Sequence, residues 1–197
     1  MGSTGVLFVF SGPSGVGKGT LKARLLSEFA GQIVDSVSAT TRAPREGEQD
    51  GREYFFITRQ EFMRRVENNE FLEHAEYSGN CYGTPQKNVE RLLGEGIDVV
   101  LEIDVQGARQ VRSRMPGCVS IFVLPPSFEE LEHRLRERHT ETEEKVLCRL
   151  EAARREIPCA QEYDYRIVNN DLDAAYAQLR GLYLKATGRA CGAAAQD

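Results

Sequence analysis

The first apolar block of the chain, Val6-Leu7-Phe8-Val9-Phe10, is unbroken and stops at Ser11-Gly12-Pro13. A short run without polar alternation, closed by turn residues, predicts a strand buried on both faces. Leu21, Leu25, Leu26 and Phe29 then recur at helical spacing and predict a helix over 22–30. The pattern repeats. Apolar runs at 97–104 and 119–124, the second closed by Pro125-Pro126, predict two more buried strands, and Arg166-Ile167-Val168 a short fourth. Helical spacing fills the gaps at 88–93, 106–115 and 172–185. Strands alternating with helices predict an α/β fold, a parallel sheet flanked by helices on both faces.

Two stretches interrupt this rhythm. Residues 36–84 carry Pro44, Gly47, Gly51 and many charges around a β-like Glu53-Tyr54-Phe55-Phe56-Ile57, after which Thr58-Arg59-Gln60-Glu61 has the form of a capping box opening a short helix. They read as a small inserted α/β subdomain. Beyond the third strand, Ser127-Phe128-Glu129-Glu130 and Thr140-Glu141-Thr142-Glu143 have the same capping form and predict two helices joined by a polar turn near 138–142. One domain is expected, with a core of 1–35, 91–126 and 158–197, an inserted subdomain at 36–90, a helical flap at 127–157 and a frayed small-residue tail over 190–197.

Composition narrows the class. A chain of 197 residues with 41% apolar positions suffices for one substantial core, and a net charge of -5 argues against a basic face for nucleic acid. No apolar run approaches the roughly 20 residues that span a bilayer, and Met1-Gly2-Ser3-Thr4 lacks the basic flank of a secretory signal, so a cytoplasmic protein without membrane partners is expected. Cys81, Cys118, Cys148, Cys159 and Cys191 are odd in number, widely spaced and free of CxxC pairs, which predicts reduced thiols; His74, His133 and His139 are scattered and give no zinc pattern.

The chemistry lies first in Gly12-Pro13-Ser14-Gly15-Val16-Gly17-Lys18, which matches seven positions of the phosphate-binding pattern GxxxxGK[ST] between a buried strand and a helix. Glycines let successive backbone N–H groups turn toward one centre, where they and the positive end of the following helix surround polyphosphate oxygens, and the lysine reaches the β and γ oxygens. With this loop the sheet is of the P-loop NTPase type. Gly19 follows the lysine where the pattern has a hydroxyl, and Thr20 comes one residue later. Two options stay open for Mg²⁺: phosphates and water hold it almost entirely, or Thr20 or the strand-end Asp104 takes part.

Ser36-Val37-Ser38-Ala39-Thr40-Thr41-Arg42-Ala43-Pro44-Arg45-Glu46-Gly47-Glu48, with Gly51-Arg52-Glu53-Tyr54-Phe55-Phe56, resembles the signature of the guanylate kinase family. Cys81-Tyr82-Gly83-Thr84, Glu102-Ile103-Asp104-Val105-Gln106-Gly107 and Thr140-Glu141-Thr142-Glu143-Glu144 fall where that family has its other motifs, so the resemblance runs over 6–185. It implies ATP and GMP as partners, with dGMP as a further acceptor, and Mg²⁺ as the cofactor. Residues 36–90 become a GMP-binding subdomain and 127–157 a lid.

Residue by residue, the resemblance implies that Arg42, Arg45, Tyr54 and Tyr82 bind the acceptor phosphate, and that Ser38, Glu73, Thr84 and Asp104 meet the base. Fork-shaped guanidinium donors suit a doubly charged phosphate. A carboxylate that accepts from N1–H and N2–H₂ prefers guanine to adenine, which lacks that pair. Asp104 retains two readings, at the base or at the metal. Arg134, Arg138 and Arg149 match lid arginines that close over ATP, with His139 where the family usually has glycine, and Asn169 and Asn170 lie near an adenine contact. Lys18, Arg42 and the three lid arginines are the expected catalytic groups, aligning the reactants without a general base. Two alternatives fit less of the pattern: a sugar-phosphate kinase, which has no need of Glu73, and a non-catalytic phosphopeptide module, which has no need of an intact phosphate loop.

Overall fold

The computed structural model describes residues 4–77, 79–137 and 142–189. Five strands form a fully parallel sheet in the order β2-β7-β1-β8-β9: β1 (Leu7–Ser11), β2 (Ile33–Asp35), β7 (Asp98–Glu102), β8 (Val119–Leu124) and β9 (Tyr165–Val168). Every residue of β1 is buried because it is the central strand and both faces are covered. Phe8 and Phe10 enter one core, with α1 (Lys18–Glu28) and α7 (Leu172–Thr187). Leu7 and Val9 point the other way, into a core shared with α3 (Gln86–Gly94) and α4 (Val105–Arg114).

A second sheet has the order β4-β3-β6-β5, from β3 (Ser38–Thr40), β4 (Tyr54–Phe56), β5 (Phe71–Tyr77) and β6 (Asn80–Pro85). The helix α2 (Arg59–Glu67) packs on it through Phe62, whose ring stacks on Phe71 at 4.6 Å between centroids. Thr58 caps α2 as its sequence predicts, its Oγ1 accepting from Glu61 N–H at 3.1 Å. Ser127 does the same for Glu130, also at 3.1 Å, at the start of α5 (Phe128–Glu137). The helix α6 (Glu143–Glu156) starts with Thr142 at its N-cap, so the box expected from Thr140 is not its cap; Thr140 itself lies outside the described residues.

Three differences from the sequence expectations matter. The strand expected at 97–104 ends at Glu102, and Asp104 instead caps α4, accepting from Gly107 N–H at 2.7 Å. The first helix begins at Lys18 rather than 22, which places its N-terminus inside the phosphate loop. The hairpin β5–β6, the three-residue strands β2 and β3, and a 3₁₀ helix at Ile157–Glu162 were not expected. Cys81, Cys118, Cys148 and Cys159 are free thiols, and Cys191 lies outside the described residues.

The two ends of the core are clasped together by Asp98, which is 1% exposed. Its carboxylate accepts from Val6 N–H at 2.8 Å, the Tyr183 hydroxyl at 2.8 Å and Arg189 Nε at 3.0 Å.

Candidate active site

The parallel sheet brings the ends of β1, β7 and β9 to one edge, where the phosphate loop, Asp104 and Asn169 follow them. Gly12 has a positive φ of 141°, and a Cβ at this position would stand 2.3 Å from the Val123 carbonyl oxygen; the chain passes β8 too closely for any side chain. Gly17 has φ 91°, and its Cβ would meet Asn169 Nδ2 at 2.4 Å. That contact exists because Asn169, buried after β9, donates its amide to the Val16 carbonyl at 2.7 Å. Asn169 thus braces the loop from a strand 153 residues away in sequence. Asn170 is exposed beside it, as are Gly19 and Thr20 in the first turn of α1.

Lys18 Nζ donates to the carbonyls of Gly12 at 2.6 Å and Pro13 at 3.0 Å, curled over the loop it serves. Burial lowers its pKa, opposed by the charges of Glu102 and Glu156 and reinforced by that of Lys22. Two arginines approach from the helices after β8. Arg149 on α6 donates to the Ser14 hydroxyl in the loop, and Arg134 on α5 donates to the Asn169 carbonyl at 3.0 Å while its Nε holds Glu130 at 2.8 Å. Arg138 lies outside the described residues.

Across the sheet edge, Ser38, Tyr54, Glu73, Tyr82 and Asp104 line one cavity of about 400 Å³, with Glu102 and Ile103 on its core side. Glu73 is 6% exposed and accepts from the fully buried Thr84 hydroxyl at 2.7 Å. Burial raises its pKa and the charge of Asp104 adds to this, while the bonds from Thr84 act in the opposite direction. Gly107 closes the wall, since a Cβ there would lie 3.0 Å from Glu73 Oε2. Arg42 reaches over the rings of Tyr54 and Phe56, 5.5 and 5.9 Å from their centroids, and its Nη2 donates to both carboxylate oxygens of Glu48 at 2.9 and 3.0 Å. Arg45 is exposed, and its contribution to this group is a backbone N–H donated to Glu48 at 2.7 Å.

A match to the guanylate kinase family model spans residues 5–186. The chain belongs to the guanylate kinase family. It is therefore an enzyme of the nucleoside monophosphate kinase group. Among its relatives, the guanylate kinase of Streptococcus thermophilus (strain CNRZ 1066) is 50% identical over 180 residues, 91% of this chain and 86% of that protein. That of Trichormus variabilis is 52% identical over 173 residues, covering 88% of this chain and 86% of the relative. A crystal structure of guanylate kinase from Anaplasma phagocytophilum aligns with a TM-score of 0.73 and 40% identity over 96% of this chain and 90% of the other.

Within this guanylate kinase family fold, three residues were not singled out from the sequence. Glu48 accepts from Arg42 Nη2, which lowers the carboxylate's pKa. Glu102 and Lys22 pair at 3.1 Å between the phosphate loop and the cavity. Position carries the signal that could have found the last two: Lys22 stands one helical turn after Lys18, and Glu102 ends an apolar strand. Among the described residues no group of three or more His, Cys, Asp or Glu is arranged to hold a metal ion. The donor set expected from the sequence, the Thr20 hydroxyl and the Asp104 carboxylate, is hard oxygen. It suits an ion that keeps most of its shell as water and phosphate, as Mg²⁺ does.

Proposed function

We propose that the chain transfers the terminal phosphoryl group of ATP to GMP, giving ADP and GDP. Glu73 carries the reading: a carboxylate buried in the wall of the cavity it shares with Asp104, and anchored by Thr84. Guanine supplies two N–H donors along one edge, and those donors make the ionised carboxylate favourable where burial alone disfavours it. Adenine would leave the carboxylate unmet, a mismatch that can reach about 10⁴-fold in discrimination. Ser38 and Asp104 flank the base and Tyr54 and Tyr82 face the acceptor phosphate, joined by Arg42 and Arg45. For Arg42 this requires an exchange of partners, the phosphate dianion replacing Glu48.

The nucleophile needs no general base, because the second pKa of the GMP phosphate is about 6 and the dianion is already formed at neutral pH. Catalysis then rests on alignment and on charge. The loop N–H groups and Lys18 bind the donor phosphates, Arg42 holds the acceptor in line, and Arg134, Arg138 and Arg149 neutralise the moving phosphoryl group. When bound, Mg²⁺ would supply further charge neutralisation at the donor phosphates, with Thr20 or Asp104 as the protein groups that would help hold it. Residues 36–90 and 127–157 close onto the core and exclude water, which protects ATP from hydrolysis. The same reading extends to dGMP and to a cytoplasmic setting.

The test is coupled ADP release with ATP and Mg²⁺, comparing GMP, AMP, CMP and UMP, with Lys18→Ala as control. Turnover with GMP, lost in the variant, is the expected result. Turnover with another acceptor, or tight GMP binding without turnover, would overturn it.

A further inference from the structure

Lys18 and Lys22 stand one helical turn apart on α1, and the charge of one carboxylate, Glu102, acts on both. Lys22 Nζ lies 2.7 Å from Asp35 Oδ2 at the end of β2 and 3.1 Å from Glu102 Oε2 at the end of β7, with its side chain 16% exposed. Burial would depress this ammonium's pKa, but Asp35 and Glu102 outweigh it and hold the pKa above its ordinary value. The charge of Glu102 also acts on Lys18, where it is the strongest influence opposing burial. Even so, Lys18 rests on two backbone carbonyls, and among the described residues it makes no ion pair.

The difference decides what Lys18 can do. An ammonium on carbonyl oxygens exchanges neutral acceptors for phosphate oxygens, whereas one paired with a carboxylate must first give up a charge-assisted bond. We propose that Lys22 is a positioning residue for the phosphate loop: by occupying Glu102, it keeps Lys18 free for the donor's phosphates. Asp35 fixes the second contact of Lys22, which orients the long side chain toward Glu102. This rests on the reading of the chain as an ATP-dependent kinase. A competing explanation is on hand, because Lys22 also lines a cavity of about 150 Å³ with Ser38, Tyr54 and Thr84 and could serve the acceptor directly.

A double-mutant cycle separates them, read by calorimetric titration of ATP in EDTA, where neither acceptor nor metal enters. Lys22→Met should weaken ATP binding about tenfold, the worth of a charge-assisted bond, and Lys22→Gln should do the same if the methionine variant folds poorly. Lys22→Arg, which keeps the ion pairs, should stay within about threefold. In a Glu102→Gln background, Lys22→Met should cost no more than about twofold, since the carboxylate it restrains is gone. Thermal melts of each variant check the fold. An equal loss in both backgrounds, unchanged ATP binding, or a loss confined to GMP binding overturns the proposal. A wild-type chain that binds ATP yet fails to phosphorylate GMP would sink the proposed function while leaving this cycle readable.

Discussion

Replacing Glu73 by glutamine separates binding from stability. The variant keeps the side-chain shape and one acceptor oxygen, and the Thr84 hydroxyl, 2.7 Å from the carboxylate, still has an oxygen to donate to. What changes is the face turned to guanine: one charge-assisted bond is lost and an amide N–H₂ opposes an N–H donor. At about 1.5 to 3 kcal/mol for such a bond, plus the unmet donors, the loss is about 3 kcal/mol. At 1.36 kcal/mol per decade, kcat/KM for GMP should fall about 150-fold, with the KM for ATP unchanged within about twofold. Stability should move the other way. Because burial raises the Glu73 pKa, the folded state binds that proton more tightly than the unfolded chain. Stability is therefore lost as pH rises from the unfolded pKa through the folded one, and the carboxylate is a burden at neutral pH. Glu73→Gln should melt higher than wild type at pH 7, with the advantage vanishing in acid. Steady-state kinetics and melting curves across pH give both readouts. A variant with unchanged GMP kinetics, or one that loses activity and stability together at neutral pH, refutes the reasoning.

Gly107→Ala would press a methyl group to 3.0 Å from Glu73 Oε2; its expected result is a raised KM for GMP with ATP binding intact, measured by the same kinetics. Gly17→Ala strains a φ of 91° and strikes Asn169, so it should cost about 1 to 3 kcal/mol in denaturant unfolding and abolish tight ATP binding. Asp98→Ala leaves Arg189 and Tyr183 without their buried partner and should cost about 3 kcal/mol, lowering Tm by about 6 to 12 °C in calorimetry. In wild type, kcat/KM for GMP should decline on the acid side with two components, the acceptor phosphate and Glu73, and Glu73→Gln should remove the second.

The core strands were legible because β1, β7 and β8 are covered on both faces and so appear as short, predominantly apolar runs. The same logic hid the hairpin. β5 and β6 place the polar Glu73 and Thr84 at buried positions, so their alternation of apolar and polar residues is broken. β2 and β3 are three residues each, too short for any periodicity. In the site, the phosphate loop declared itself through glycines whose conformations are required by close approach. Glu73 stood out through family resemblance and not by pattern, since a buried carboxylate reads like a surface one. For Glu48, Glu102 and Lys22 the relevant fact is which opposite charge each one faces, and that is settled by the fold.

The brace between Asn169 and Val16 bears on how such a chain is made. Synthesis delivers the phosphate loop 153 residues before its brace, which follows β9. A nascent chain that has not yet released β9 has the loop's sequence without the amide that holds its shape. Nucleotide affinity should then arise late and all at once, when the final strand docks against β8. A half-made enzyme is thereby kept from spending ATP.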